Sequence, residues 1–120
     1  MQTLVIPLTR KISTNAIYAG RHWAVRKKDA DFYHNEILHY AKEQKIKKVK
    51  EYPISLILIF YFKNRPYDSS NCFYMAKLIE DGLRNAGIID DDTPKFVEFI
   101  GCMSKVDREN PRIEIRIEDK

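Results

Sequence analysis

"ISLILIFYFKNRPYDSSNCFYMAKLIEDGLRNAG", residues 54–87, holds the two elements around which the rest of the chain is arranged. Its first nine residues are almost wholly aliphatic or aromatic, and many are β-branched. That length and composition predict a buried central strand rather than a helix, ended by Pro66. Beyond the polar break, Cys72, Met75, Ala76, Ile79, Leu83 and Ala86 recur at helical spacing and predict a helix over residues 71–86. Lys77, Glu80, Asp81 and Arg84 fall on or near its opposite side, with Glu80 and Arg84 placed as an i,i+4 pair. Asp68, Ser69 and Ser70 supply N-cap chemistry in front of it. Gly87 is suited to the left-handed residue that follows a helix.

Upstream, "TLVIPL" (residues 3–8) reads as a short first strand closed by Pro7. Residues 9–29 have no steady period and read as a long basic loop, a length usually found in functional or mobile segments. Residues 30–45 carry Tyr33, Ile37, Tyr40 and Ala41 at helical spacing. Downstream, "IIDDDTP" is a loop, and residues 95–106 alternate with Phe96, Glu98 and Ile100 on one face and Val97, Phe99 and Gly101 on the other. Residues 110–119 set Ile113, Ile115 and Ile117 against Arg112, Glu114, Arg116 and Glu118. "DREN" between these two strands predicts an antiparallel hairpin. The expected fold is α/β of the α+β type, with a small mixed sheet and two main helices. Its order is β–loop–α–β–α–β–β, in a single domain spanning residues 1–120.

The composition is that of a globular chain of 120 residues, with one modest core. No basic, apolar and small-residue succession marks a signal peptide at the N-terminus, and the longest apolar run is too short to span a bilayer as a helix. A soluble cytoplasmic protein without a membrane partner is expected. Cys72 and Cys102 are far apart and lack the spacing of a zinc site, so they read as reduced core residues. The net charge is +4, unevenly spread. Arg10, Lys11, Arg21, Arg26, Lys27 and Lys28 crowd residues 9–28 without one acid, and five lysines occupy residues 42–50. The acids gather between Glu80 and Asp92. A basic body with a local acidic pocket suits a polyanion held near a divalent metal, although basic clusters also occur on plain solvated faces. Tyr18, His22 and Trp23 interleave with the first cluster. They either stack on or contact nucleic acid, with His22 the best of the histidines for a phosphate, or Ile17, Tyr18 and Trp23 pin the loop to the core.

The sharpest question is whether Asp68 and the run Asp90, Asp91, Asp92 meet. A sixteen-residue helix is roughly 24 Å long, so they meet only if the chain after Gly87 doubles back. Converged, they would suit Mg²⁺, which takes one or two carboxylates plus water and phosphate oxygens. Lys77 would then be placed to stabilise charge developing on a phosphate. Apart, Asp68 is a helix cap and the acidic run a solvated turn.

Residues 68–95, "DSSNCFYMAKLIEDGLRNAGIIDDDTPK", resemble the core of the RusA family of Holliday-junction resolvases, many of them from phages and prophages. That family's pattern looks like D-x-D-N, then a helix with a lysine and a "DGL" or "DAL" segment, then "AG-hydrophobic…DD". "STNAIYAGRHW" is similar to the family's "xxNxxY" segment, which places Asn15 and Tyr18. The resemblance implies a homodimeric, Mg²⁺-dependent endonuclease (Mn²⁺ being a further option) that nicks branched DNA such as a four-way junction and needs no small-molecule cofactor. By position it implies Asp68, Asp91 and Asp92 as metal ligands, Asn71 as site support and Lys77 as the lysine. Asn15, Tyr18, His22 and the six cations of the first basic cluster would then lie along DNA. The departure is Ser70, which stands where the family carries its second aspartate. A hydroxyl binds Mg²⁺ more weakly than a carboxylate. The alternative expectation is therefore a branched-DNA-binding protein on the same fold that has lost cleavage.

Overall fold

In the computed structural model, which describes residues 1–119, the chain runs β1 (Gln2–Pro7), α1 (Thr14–Tyr18), α2 (Trp23–Glu43), β2 (Ile54–Phe62), a 3₁₀ turn (Ser69–Cys72), α3 (Phe73–Asn85), β3 (Val97–Val106) and β4 (Arg112–Glu118). The four strands form one mixed sheet in the order β1-β4-β2-β3. The fold is of the α+β type, with three helices. β2 is central, as its composition predicted, and alternate residues Ile54, Leu56, Leu58, Phe60 and Phe62 are at most 1% exposed. They join Leu4 and Ile6 of β1 and the three isoleucines of β4 in one core. Tyr33, Ile37 and Ala41 of α2, and Met75, Ile79 and Leu83 of α3, pack over it.

The expected hairpin of the last two strands does not form. β4 inserts between β1 and β2, antiparallel to both, whereas β3 pairs with the far side of β2 in parallel. "DREN" is a tight turn, as expected: Asp107 Oδ1 accepts from the amides of Glu109 and Asn110, each at 3.2 Å. It steps past the end of β2, where the Asp107 amide donates to the Phe62 carbonyl at 2.9 Å. The strict alternation predicted for β3 is also broken. The β2–β3 register passes from Ile54↔Val97 to Ser55↔Phe99, so Glu98 is an extra residue that bends the edge strand. Val97 therefore lies on the core face with Ile100 rather than opposite to it.

Residues 9–29 are not a loop throughout. They contain α1, and α2 begins at Trp23 rather than near residue 30. His22 starts that helix, its Nδ1 accepting from the Ala24 amide at 3.1 Å. The core stripe of α2 is Asp29, Tyr33, Ile37 and Ala41. Because its first member is a carboxylate, apolar periodicity fades one turn too early. The expected helix over residues 71–86 opens instead with the 3₁₀ turn and becomes α-helical at Phe73. Gly87 takes φ +76° behind it, the left-handed conformation expected there. Gly82 lets α3 approach α2, since a Cβ at that position would lie 2.7 Å from Ile37 Cδ1.

The two sheet edges differ. Along β1, the Gln44 side chain accepts from the Val5 amide at 2.9 Å and donates to the Val5 carbonyl at 2.6 Å. Gln2 makes the equivalent pair with the backbone of Lys47, at 2.8 and 2.7 Å. Side-chain amides thus stand in for a missing strand on that edge. Cys72 is buried and Cys102 half-buried, both unpaired as expected. Burial pushes their thiols up to about 12 and about 11, so both stay protonated at neutral pH. No helix of the described residues is long and apolar enough to cross a membrane.

Candidate functional site

The basic segment between β1 and α2 is folded around one carboxylate. Asp29 has no exposed side-chain surface. Arg10 Nε donates to its Oδ1 at 2.9 Å. Arg21 donates to both oxygens, at 2.7 and 3.0 Å, and the Tyr74 hydroxyl donates to Oδ2 at 3.1 Å. Burial disfavours the charge, but the bonds from Arg21, Arg10 and Tyr74 outweigh it and hold the carboxyl below the usual aspartate range. Two of the predicted DNA-facing cations, Arg10 and Arg21, are therefore engaged internally. Sequence reasoning missed Asp29. The signal was a carboxylate in register with Tyr33 and Ile37, a place that demands a buried cationic partner.

The expectation that Tyr18 and Trp23 pin this segment to the core is overturned, because they are 84% and 69% exposed. The ion network and α1 do that work. Thr14 Oγ1 accepts from the Tyr74 amide at 3.2 Å and donates to the Ser70 carbonyl at 3.3 Å. It joins α1 to the 3₁₀ turn and satisfies a free amide at the start of α3. Lys11, Asn15, His22, Arg26, Lys27 and Lys28 are exposed. Arg26 and Lys27 line a groove of about 480 Å³ between α2 and α3, together with Trp23, Tyr74, Lys77 and Asp81. The second basic cluster lies elsewhere: Lys47, Lys48 and Lys50 line a separate groove of about 510 Å³ with Asp119.

The doubling back that the acidic run required is present. Val49 and Tyr52 hold the returning chain: the Val49 amide donates to the Ile88 carbonyl at 2.8 Å, and the Tyr52 hydroxyl accepts from the Asp90 amide at 3.0 Å. The three aspartates then part company. Asp90 pairs with Lys48 at 3.0 Å. Asp91 accepts from the Asp92 amide at 2.8 Å and lies 3.9 Å from Arg84. Asp92 lies 3.4 Å from Lys77 and 3.6 Å from Arg84. Arg84 is thus drawn to the acidic run rather than to Glu80, as its spacing had predicted.

Lys77 is the fifth residue of α3, about 6 Å along the axis from its start. Its ammonium lies 3.2 Å from Asp81, 3.4 Å from Asp92 and 3.7 Å from Glu80. Burial would lower the Lys77 pKa, yet Asp81 and Asp92 raise it. Asp92 is lowered, because Lys77 and Arg84 outweigh the effect of burial. Glu80 is raised by burial, reinforced by Asp92 and Asp81 against Lys77. Asp68 is not in this cluster. It precedes the 3₁₀ turn, where its carbonyl accepts from the Asn71 amide at 2.8 Å, but its side chain makes no capping bond. Ser70 beside it is exposed, and Asn71 half-buried.

Among the described residues no group of three or more His, Cys, Asp or Glu side chains is arranged to hold a metal ion. The place where carboxylates come closest is filled by the Lys77 ammonium. The carboxylates there, Asp81, Asp92 and Glu80, are oxygen donors of the kind a hard divalent cation takes, and the ammonium now occupies the place between them. No family model and no curated protein matches the sequence.

Proposed function

We propose that the chain is a metal-dependent, structure-selective endodeoxyribonuclease of the RusA type, a homodimer acting in the cytoplasm on four-way DNA junctions. The observation that carries this reading is the return of Asp92 to within 3.4 Å of Lys77, beside a groove walled by Trp23, Arg26 and Lys27. Asp91 and Asp92 would hold Mg²⁺ or Mn²⁺ with support from Asp81 or Glu80, and Asp68, which stands outside this cluster in the single chain, would have to be brought to it as a further ligand. Such an ion polarises a phosphodiester and lowers the pKa of a bound water. The chain's own residues do the rest. Arg26, Lys27, Lys28 and Lys11 track phosphates, and Trp23 offers a face for stacking. Lys77, whose ammonium lies among Asp81, Asp92 and Glu80, would be placed to meet charge that develops on the phosphate.

Ser70 favours a second reading, in which the protein binds junctions without cutting them. A labelled four-way junction in Mg²⁺ and in Mn²⁺ separates the two, comparing wild type with Asp92→Asn and Ser70→Asp. Paired nicks by the wild type that disappear in Asp92→Asn support the nuclease. Tight binding with nicks only in Ser70→Asp supports the binding protein. Nicking that persists in both Asp92→Asn and Asp68→Asn would remove these carboxylates from the chemistry.

A further inference from the structure

The lysines of residues 42–50 lie away from the groove that the proposed function uses, and their backbone is well fixed. Behind α2, the Lys45 amide donates to the Lys42 carbonyl at 3.2 Å and the Ile46 amide to the Ala41 carbonyl at 2.9 Å. α3 ends in the same way, with the Gly87 amide on Arg84 and the Ile88 amide on Leu83, each at 3.0 Å. These are the paired bonds of a helix end that turns through a left-handed residue, usually glycine. α2 has Lys45 where α3 has Gly87, and Lys45, at φ +56°, is the one non-glycine residue with positive φ among the described residues. Ile46 and Ile88, the residues that follow, line an apolar hollow of about 210 Å³ with Leu38, Ala41, Lys42 and Ala86. Leu38 on its wall is 53% exposed. The hollow is smaller than the roughly 300–1,000 Å³ of small-molecule sites. It suits a single anchoring side chain of a larger partner.

From the hollow the chain continues as a ridge held from behind. Gln2 brackets the backbone of Lys47, and the buried Val49 is tied to Ile88. Lys45, Lys47, Lys48 and Lys50 are left exposed along it. Lys48 pairs with Asp90, but Lys42, Lys45, Lys47 and Lys50 have no ion pair among the described residues. Glu43, the one acid in the cluster, lies 3.4 Å from His39 instead. The dipole at the end of α2 accounts for Lys42 in its last turn, but not for Lys47 and Lys50 beyond it.

We propose that this surface docks an acidic segment of a partner protein, with one large apolar side chain seated in the hollow and the neighbouring carboxylates on Lys42, Lys45 and Lys47. The pairing of an apolar hollow with free cations selects that occupant over DNA. A phosphate backbone has nothing to put into the hollow. Neither the hollow nor the lysine groove beyond it has an aromatic ring or an arginine in its wall, unlike the groove of Trp23 and Arg26. Glu51 and Asp119 also line the lysine groove, so a long polyanion laid along it would meet like charge. A short acidic segment ends before it reaches them. Because the ridge is already fixed, the ordering cost of binding falls on the partner alone.

This surface does not depend on the nuclease reading, and its test needs no cleavage. Fluorescence anisotropy on the full chain, at about 0.1 M salt, compares three labelled probes: a peptide of consecutive aspartates ending in phenylalanine, the same peptide ending in serine, and a DNA duplex. The phenylalanine peptide is expected to bind, and the serine peptide about tenfold more weakly. Leu38→Glu, at an exposed position, removes the difference between them. Lys45→Gly weakens the phenylalanine peptide about two- to fivefold, while the melting temperature holds or rises because glycine suits the left-handed turn. A merely structural role for Lys45 would not separate the two readouts in that way. Arg26→Gln, in the other groove, leaves peptide binding unchanged. A wild type that binds the peptide but no duplex supports this surface and counts against the nuclease alone. No binding of either peptide, equal binding of the two, or duplex binding that Lys45→Gly weakens as much as peptide binding would each overturn the proposal, the last by assigning the ridge to DNA.

Discussion

Asp29 is the residue on which the basic segment depends. Its side chain is fully buried, and both oxygens are bonded to arginine. Replacing it by asparagine strands two guanidinium groups that are only part-exposed, and should cost about 2–4 kcal/mol in a urea titration. The pH dependence has a definite sign. The Asp29 carboxyl is held below its unfolded value, so its contribution is fully present above about pH 4 and is lost as pH falls through the lower, folded value. Stability measured from pH 5 downward should therefore fall less steeply in Asp29→Asn than in wild type. Lys77 poses the converse case, one ammonium among three carboxylates. Lys77→Met should leave the cluster needing a cation and raise its affinity for Mn²⁺, read by the metal's paramagnetic broadening of nearby amide resonances. At this scale the candidate carboxylates and Lys77 could be picked from sequence because motif spacing singles them out. Asp29 could not, since an acid next to Lys27, Lys28 and Asp31 looks like an ordinary surface charge.

Elements were legible where composition alone decides them. β2 had its mostly apolar run, and α3 its stripe from Met75 to Leu83. The start of α2 was hidden because its first turns expose Trp23 and Val25 and bury a carboxylate, leaving no apolar period to read. The face assignment of β3 failed at Glu98, where one extra residue reverses every side chain beyond it. Two elements carry predictions of their own. Gln44→Leu removes both bonds to Val5 and should cost about 1–3 kcal/mol. It also bares the β1 edge, so association that grows with concentration should appear in light scattering. Gly82→Leu would force α3 off Ile37 and should cost about 2–3 kcal/mol.

For the whole molecule, the separation of charge was readable from the chain, but which cations face outward was not. Arg10 and Arg21 look equivalent to Arg26 and Lys27 in sequence, and only the fold assigns them to Asp29. If the groove between α2 and α3 holds DNA, neutralising Arg26, Lys27 and Lys28 should lower the salt dependence of junction binding by about one unit of slope for each phosphate left without its cation. Arg10→Gln should leave that slope nearly unchanged while lowering stability. Fluorescence anisotropy across a salt series distinguishes the two effects. Topology was the least legible level, because a four-residue turn says that two strands are antiparallel but not that a third lies between them.

That interleaving governs the order in which the molecule can be made. β1 is synthesised first, yet its sheet partner is β4, with Gln2 opposite Ile117. Until residue 112 and its successors leave the ribosome, β1 has no neighbouring strand, and the edge of β2 that β4 will occupy stays open. The crossover unit β2–α3–β3 is complete before β4 is made and can gather first, with one edge of β2 still open. The nascent chain therefore waits half-assembled with two unsatisfied strand edges, a state prone to mispairing. Chains arrested before β4 should remain protease-sensitive and be held by chaperones, and release of the last strand should convert them to the resistant form in a single step.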